Sequence, residues 1–149
     1  MEDLAKLLNL IQILGSVQGV LKLQKLVYLL QQLGLSFHVK YEYGHYGPYS
    51  RELIDAYKCL EHAQFIEISD RIFPISSGIK NTHFLDDSKF SELAELLNTS
   101  TLSTLILLSK VIYLRRLEYL SEQRISEMLN CTSIEILEVT TLMPKGTSF

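Results

Sequence analysis

Apolar residues recur every three or four positions in two separate runs of the N-terminal third of the chain. The runs are Leu4, Leu7, Leu8, Ile11 and Leu14, and then Leu23, Leu26, Val27, Leu30 and Leu33. This spacing places each run on one face of a helix. Gly15 and Gly34 follow the runs, and glycine commonly ends helices. The pattern predicts a helix from about Glu2 to Leu14 and a second that closes at Gly34. Lys22, Lys25, Gln31 and Gln32 occupy the other side of the second helix, opposite its apolar stripe.

The segment after Gly34 changes to a period of two. Phe37, Val39, Tyr41 and Tyr43 alternate with polar residues, which predicts a short strand or extended segment. The turn residues from Gly44 to Pro48 end it, because Pro48 fixes its own φ and disfavours a helical Gly47. Ser50 is then placed to cap a third helix by accepting an N–H bond from its first turn. The predicted buried face of that helix is Leu53, Ile54, Tyr57, Leu60 and Ala63.

The rest of the chain predicts one hairpin followed by helices. Residues 65–69 have a strand pattern, residues 71–75 extend or break it, and residues 81–85 can return as the second strand. Asp87 and Ser88 are cap candidates for a fourth helix, Ser100 or Thr101 opens the next, Ser121 starts another, and a last helix can run from Ser133 to Met143. The fold class is therefore α+β and mainly helical. We expect a winged-helix-like core over residues 1–86 and a C-terminal helical extension over residues 87–149, packed on the core as one compact unit.

Composition narrows the possible functions. The chain has 149 residues, 47% of them hydrophobic, and a net charge of −3, whereas a dedicated nucleic-acid binder usually carries a basic excess. The most apolar stretch, residues 102–114, is too short to span a bilayer and contains Lys110. Cys59 and Cys131 belong to no metal-binding pattern and are expected to be buried free thiols. These features favour a cytoplasmic protein without a membrane segment.

Two motifs resemble those of a known family. They are the run Lys-Leu-Gln-Lys-Leu-Val-Tyr-Leu at residues 22–29 and the run Tyr-Gly-Pro-Tyr-Ser-Arg-Glu-Leu at residues 46–53. Both resemble the YwgA-like family of bacterial and archaeal proteins and, more distantly, the phage-associated Panacea (SocA-like) antitoxin domain. The resemblance covers about residues 4–85. It implies a winged-helix-like core and an intracellular protein, and it brings no catalytic residues.

The turn before the third helix is the leading candidate site. Five of the eight tyrosines lie between Tyr41 and Tyr57. Tyrosine is common at binding hot spots, although these rings can equally pack the turn onto the helices. The candidate residues for binding a partner or nucleic acid are Tyr46, Tyr49, Ser50, Arg51 and Lys58.

The third helix allows a second interpretation. Arg51, Asp55, Lys58 and His62 share one face of it, which could read DNA or could be a solvated stripe of opposite charges. No nucleophile with a recognisable base and no metal-ligand spacing is present, so we expect no enzyme activity, no cofactor and no metal. The leading hypothesis is a non-catalytic intracellular module that binds a protein partner, which can be a second copy of the chain. The alternative is a winged-helix DNA-binding transcriptional regulator.

Overall fold

The computed structural model describes residues 2–75, 88–116 and 120–143. Within these residues the protein is α+β and mainly helical, as predicted, with seven helices and two small antiparallel hairpins. The helices are α1 Glu2–Leu14, α2 Val20–Gln32, α3 Arg51–His62, α4 Ser88–Thr99, α5 Leu102–Arg116, α6 Glu122–Leu129 and α7 Ser133–Thr140. The strands are β1 Glu42–Gly44, β2 Gly47–Tyr49, β3 Ile66–Ile68 and β4 Ile72–Pro74.

Helix α2 lies at the centre of the protein and is buried on all sides. Every residue from Lys22 to Leu30 is buried, so the polar side of this helix, with Lys22 and Lys25, is covered as well as its apolar stripe. The reason is that α5, α4 and β2 all pack against α2 and cover the side that the apolar stripe leaves free. Lys22, Gln24 and Lys25 are tolerated there because each donates to a backbone carbonyl, as the Lys22 ammonium does to that of Asn98.

Helix α3 begins as predicted. The Ser50 hydroxyl accepts a hydrogen bond from the Leu53 N–H at 3.1 Å, which makes Ser50 the N-cap. Leu53, Tyr57 and Leu60 are buried in the same core as Leu26, Val27 and Leu30 of α2, while the predicted Ala63 is exposed. The helix packs chiefly against α1 and β3.

The extended segment before α3 forms much less strand than predicted. Phe37 and Val39 are buried and Lys40 is exposed, so the alternation of burial is real, but only Glu42–Gly44 pairs as a strand. Its partner is Gly47–Tyr49, with Tyr43 opposite Pro48. The predicted turn is therefore the tip of a hairpin, and Pro48 sits inside its second strand.

The second hairpin turns earlier than predicted. Ile66–Ile68 pairs with Ile72–Pro74, so the return strand is the segment expected only to extend or break the first strand. The Ser69 N–H and hydroxyl both donate to the Arg71 carbonyl, at 3.0 and 3.3 Å, within this turn. The predicted return strand at residues 81–85 lies outside the described residues. Val17, between α1 and α2, pairs with Ile72 through two backbone hydrogen bonds of 3.0 and 2.8 Å.

The C-terminal helices pack onto the N-terminal ones. Helix α4 packs against α1 and α2, and α5 packs against α2, β2 and α7. Ser121 is the N-cap of α6, and α7 begins at Ser133 as predicted, with Thr132 as its N-cap. The expected burial of both cysteines is wrong, because Cys59 is exposed on the outer side of α3 and Cys131 is only half-buried. No helix in the described ranges combines the length and apolar character needed to cross a membrane.

Candidate functional site

An apolar pocket of about 330 Å³ opens between the first hairpin, the N-terminal half of α2 and α3. The lining residues are Val20, Leu21, Gln24, Lys25, Gly44, His45, Tyr46, Gly47, Tyr49, Ile54 and Tyr57. A pocket of this volume is at the lower end of the range for small-ligand sites.

The floor of the pocket is tied together by hydrogen bonds from α2. The Gln24 side chain donates to the Ser50 carbonyl and accepts from the Ser50 N–H, both at 2.9 Å. The Lys25 ammonium donates to the Pro48 carbonyl at 2.8 Å. These bonds fix the end of β2 and the start of α3 to one turn of α2, so the pocket is held by buried, directional contacts.

Lys25 is a charged group in an apolar setting. Its side chain is fully buried, and burial together with the charge of Lys110 on α5 lowers the pKa of Lys25 to about 8. Gly47 separates the two lysines: a Cβ built at Gly47 would lie 2.8 Å from Lys110 Cγ and 3.6 Å from Lys25 Nζ. Gly47 has a φ of +91°, so both its backbone and its surroundings require glycine.

The rim of the pocket carries exposed aromatic and charged side chains. Tyr46 is 53% exposed, and its ring lies edge-on to His45 with the centroids 4.8 Å apart. The Tyr49 hydroxyl donates to the Glu42 carboxylate at 2.8 Å, and Arg51 Nε is 3.6 Å from the same carboxylate oxygen. Tyr49 and Glu42 together raise the pKa of the Arg51 guanidinium. The rim therefore presents the Tyr46 ring and the ion pair between Arg51 and Glu42 to a partner.

The structure brings together some of the residues that the sequence predicts as a site. Tyr46 and Tyr49 line the pocket and Arg51 lies beside them at the start of α3. Lys58 is exposed on α3 but does not line the pocket. Ser50 is fully buried beneath the turn, where its polar groups bind Gln24 and Leu53. Its contribution is to hold the turn in place.

Other lining residues had no clear signal in the sequence. Ile54 and Tyr57 fit the buried face of an amphipathic helix, and that face is also one wall of the pocket. Val20 and Leu21 precede the second apolar stripe, and only the packing of the hairpin brings them into the site. Lys25 is buried because α5, which lies far away in the sequence, packs against α2 and β2.

The described residues hold no cluster of three or more His, Cys, Asp or Glu side chains that could bind a metal. His38 lies near Asp3 of α1, with its Nδ1 3.6 Å from the carboxylate, while His45 lies on the hairpin turn and His62 at the end of α3. These histidines therefore belong to different parts of the surface.

Comparison with known proteins gives one partial similarity. The chain is 38% identical over 53 residues to the uncharacterized protein YwgA of Bacillus subtilis (strain 168). The match covers 36% of this chain and 32% of YwgA, so it supports a YwgA-like relationship for about a third of each protein. No family model matches the chain, and no solved structure matches it. The expected similarity to the Panacea domain is not shown.

Proposed function

We propose that this chain is a non-catalytic binding module that engages a protein partner through the hairpin pocket. The single observation that carries the proposal is an open apolar pocket of about 330 Å³ with the exposed ring of Tyr46 at its mouth. Buried aromatic anchors that fill pockets dominate the energy of protein interfaces, and tyrosine and arginine are the residue types enriched there. Tyr46, Tyr49 and Arg51 would contact the partner, Lys58 would lie at the edge, and Ser50 would hold the turn.

The rigidity of the site supports the same proposal. The two bonds between Gln24 and Ser50 and the bond from Lys25 to Pro48 fix the pocket before any partner arrives. A preformed site loses less conformational entropy on binding than a flexible one, which favours affinity. The partner can be a different protein or a second copy of this chain.

A crosslinking experiment tests this proposal. The photoreactive residue p-benzoylphenylalanine would replace Tyr46 in one variant and Leu137 in a control. Leu137 is 64% exposed on α7, away from the hairpin in the chain order. We expect one partner protein, which mass spectrometry identifies as another protein or as a second copy of this chain, to crosslink at position 46 and not at position 137. In a binding assay with that protein, Tyr46→Ala should cost about 2 kcal/mol or more, and Leu137→Ala little. Identical products at both positions, or none at 46, would contradict the proposal.

A winged-helix DNA-binding regulator is the second candidate, and the order of the elements favours it. Helix α1, the bridge at Val17, α2, α3 and the hairpin β3–β4 come in that order, with the hairpin β1–β2 inserted between α2 and α3, and Val17 pairs with Ile72 of the second hairpin. A winged helix would use α3 for recognition and the hairpin as its wing. Against it, Asp55 and Glu52 are exposed on α3 together with Arg51, and the net charge is −3.

Salt dependence separates the two candidates. Protein–DNA affinity falls steeply with salt because cations are released from the phosphates, by about 10³ to 10⁵ between 50 and 200 mM salt for six to ten contacts. We expect no duplex binding tighter than about 1 μM at physiological salt. Tight, salt-sensitive and sequence-dependent binding in a titration with genomic fragments, weakened by Arg51→Ala, would favour the regulator instead.

A further inference from the structure

Helix α7 carries large apolar side chains on two opposite faces. Ile136 is buried in the core on the side where α7 packs against α5. Ile134 and Leu137 are 67% and 64% exposed, the highest values of any large apolar side chain in the described ranges. A surface helix normally presents polar residues on the side away from the core. The outer face of α7 is therefore an apolar surface that the described residues leave uncovered.

The residues of this outer face have the spacing of a seam between two helices. Ile134, Leu137 and the exposed Thr141 are separated by three and then four positions, so they lie in one line along α7. We call this line the α7 outer stripe. Residues at this spacing form the seam along which one helix packs on another. The stripe extends over about two turns, which suits a short contact with one helix.

The start of α7 is fixed by its cap, so the stripe has a defined orientation. The Thr132 hydroxyl accepts a hydrogen bond from the Glu135 N–H at 3.1 Å, and the Glu135 carboxylate accepts one from the Thr132 N–H at 3.4 Å. This capping box satisfies two backbone donors at the beginning of a helix of only eight residues. A surface that is already ordered loses less conformational entropy when a partner binds.

Acidic side chains lie beside the stripe. Glu138 is exposed next to Leu137, and Glu135 is exposed on the same side of the helix. Helix α7 has no Lys, Arg or His, and Arg124 is the one basic residue of positions 120–143. The Arg124 guanidinium lies 3.5 Å from the Glu127 carboxylate. Glu138 takes part in no ion pair within the described residues, so its charge is available to a partner.

We propose that the α7 outer stripe docks a helix of a protein partner that has apolar residues at the same 3–4 spacing and Lys or Arg beside them. Flanking charges of opposite sign select the partner of a helix seam, and like charges repel it. The Glu138 carboxylate meets a basic side chain of the partner, while Ile134 and Leu137 contact its apolar residues. A second copy of α7 would instead bring acidic side chains together. No residue of the stripe lines the hairpin pocket, so this surface is separate from the one in the proposed function.

Three synthetic peptides, each N-acetylated and C-amidated, test the proposal. The first is Lys-Leu-Ala-Ala-Leu-Lys-Ala-Lys-Leu-Ala-Ala-Leu-Lys-Ala-Lys, in which leucine has the 3–4 spacing and lysine flanks it. The second has Glu in place of every Lys, and the third has Ala in place of every Leu. Titration of the unaltered protein, followed by ¹H–¹⁵N NMR, reports affinity and place together. We expect the first peptide to shift the amides of Ile134, Leu137 and Glu138, and to bind about tenfold or more tighter than either of the others.

Two variants of this surface, each with a matched control, identify the origin of the binding. Leu137→Ser should weaken binding of the first peptide about fivefold or more, whereas Leu96→Ser removes a leucine that is 54% exposed on α4 and should leave the affinity unchanged. Glu138→Gln should weaken binding about threefold and reduce its dependence on salt concentration. Glu61→Gln, at an exposed position of α3, should change neither. All four side chains are exposed, so their replacement should leave the fold intact.

Three results would overturn the inference. Equal binding of the three peptides, or tightest binding of the acidic or the alanine peptide, would show that the stripe and its charge do not select the occupant. Shifts confined to Gly44 and Gly47 would place the first peptide in the hairpin pocket. A dimer in sedimentation equilibrium that Leu137→Ser dissociates would identify a second copy as the occupant. The crosslinking test at position 46 depends on none of these results, and any product at position 137 should differ from the one at position 46.

Discussion

The side chain of Gln24 and the backbone of Ser50 exchange two hydrogen bonds, each 2.9 Å long. The primary amide thereby pairs with both backbone groups of one residue, as a neighbouring strand would. The bonds join α2 to the junction between β2 and α3 over 26 positions of sequence. Because Ser50 is fully buried, water cannot replace either bond.

Gln24→Met should therefore destabilise the protein strongly. The substitution keeps the length of the side chain but leaves the buried Ser50 N–H without its partner, and a buried unsatisfied group costs about 1–3 kcal/mol. Urea denaturation measures the loss. Gln123→Met, at an exposed position of α6, is the matched control and should change stability by less than about 0.5 kcal/mol. Equal effects at the two positions would contradict the structural role of Gln24.

Ser50→Ala should remove the N-cap of α3 and cost about 0.5–2 kcal/mol. The upper part of that range is expected because the bond from the Leu53 N–H to the Ser50 hydroxyl is buried. Ser121→Ala removes the corresponding cap of α6 at an exposed site, and its cost should be smaller. Thermal and urea unfolding of both variants test this order. An unfolding midpoint that Ser50→Ala leaves unchanged would remove the cap assignment.

Gly47→Ala combines backbone strain with a steric contact. The φ of +91° is unfavourable for alanine, and the new Cβ would lie 2.8 Å from Lys110 Cγ. We expect a loss of about 1–3 kcal/mol of stability. Gly34→Ala is the control, since Gly34 also has a positive φ, of +105°, but open space around it. The excess cost at position 47 measures the contact with Lys110, and Lys110→Ala should recover part of it.

The stability of the protein should rise between about pH 8 and pH 10. Because burial, and secondarily Lys110, lowers the pKa of Lys25 from 10.5 to about 8, the unfolded chain binds more protons than the folded protein in this window. Stability rises with pH wherever the unfolded state binds more protons. Lys22, whose pKa burial also lowers, adds to the rise. Above about pH 10, the trend should reverse, since burial raises the pKa of Tyr28 and Tyr41.

Urea unfolding at intervals between pH 7 and pH 11 measures this curve. The rise attributable to Lys25 is on the order of 1–3 kcal/mol, since one pKa unit corresponds to about 1.4 kcal/mol. Lys25→Met should keep only the smaller rise from Lys22, whereas Lys40→Met should keep the whole curve. A stability that falls steadily from pH 7 would show that Lys25 is not held in this environment.

The two cysteines should differ in reactivity toward iodoacetamide. Cys59 is exposed on α3, whereas Cys131 is half-buried and its pKa is raised by burial and by Glu135. Because the thiolate is the reactive form, Cys59 should be alkylated first in the folded protein. Mass spectrometry of digested samples over time gives both rates. Equal alkylation rates for Cys59 and Cys131 in the folded protein would contradict this ordering, and the same measurement in urea, where the two environments no longer differ, is the control.

Sequence periodicity predicts those parts of the fold in which one face of an element is buried. The helix from Glu2 to Leu14 and the cap at Ser50 are confirmed, since both depend on residues close together in the chain. The burial of Lys25 could not be predicted, because it depends on α5 and β2, which cover the polar side of α2. An amphipathic pattern distinguishes two sides of a helix, but it does not reveal whether the polar side is also covered.

The candidate site shows the same division. Tyr46 and Tyr49 are recognisable because they cluster in a turn, and turns lie at the surface. Ile54 and Tyr57 have the spacing of core residues, and in α3 one face serves both the core and the pocket. The isoleucines at positions 66, 68 and 72 suit one strand continued past residue 69 as well as two strands joined by a turn at residues 69–71. Their pattern therefore does not predict the early turn of the second hairpin.

The contacts of α2 have a consequence for how this protein can vary. Lys22, Gln24, Lys25 and Gln31 all donate to main-chain carbonyl oxygens, at Asn98, Ser50, Pro48 and Val39 respectively. Every amino acid carries a carbonyl, so substitutions at the receiving positions leave these acceptors intact, whereas substitutions of the donors do not. Related chains can thus diverge in the surrounding loops while retaining the polar residues of this one helix. The donor positions on α2 would therefore tolerate fewer substitutions than the acceptor positions, and sequence similarity among related chains would be concentrated in this helix.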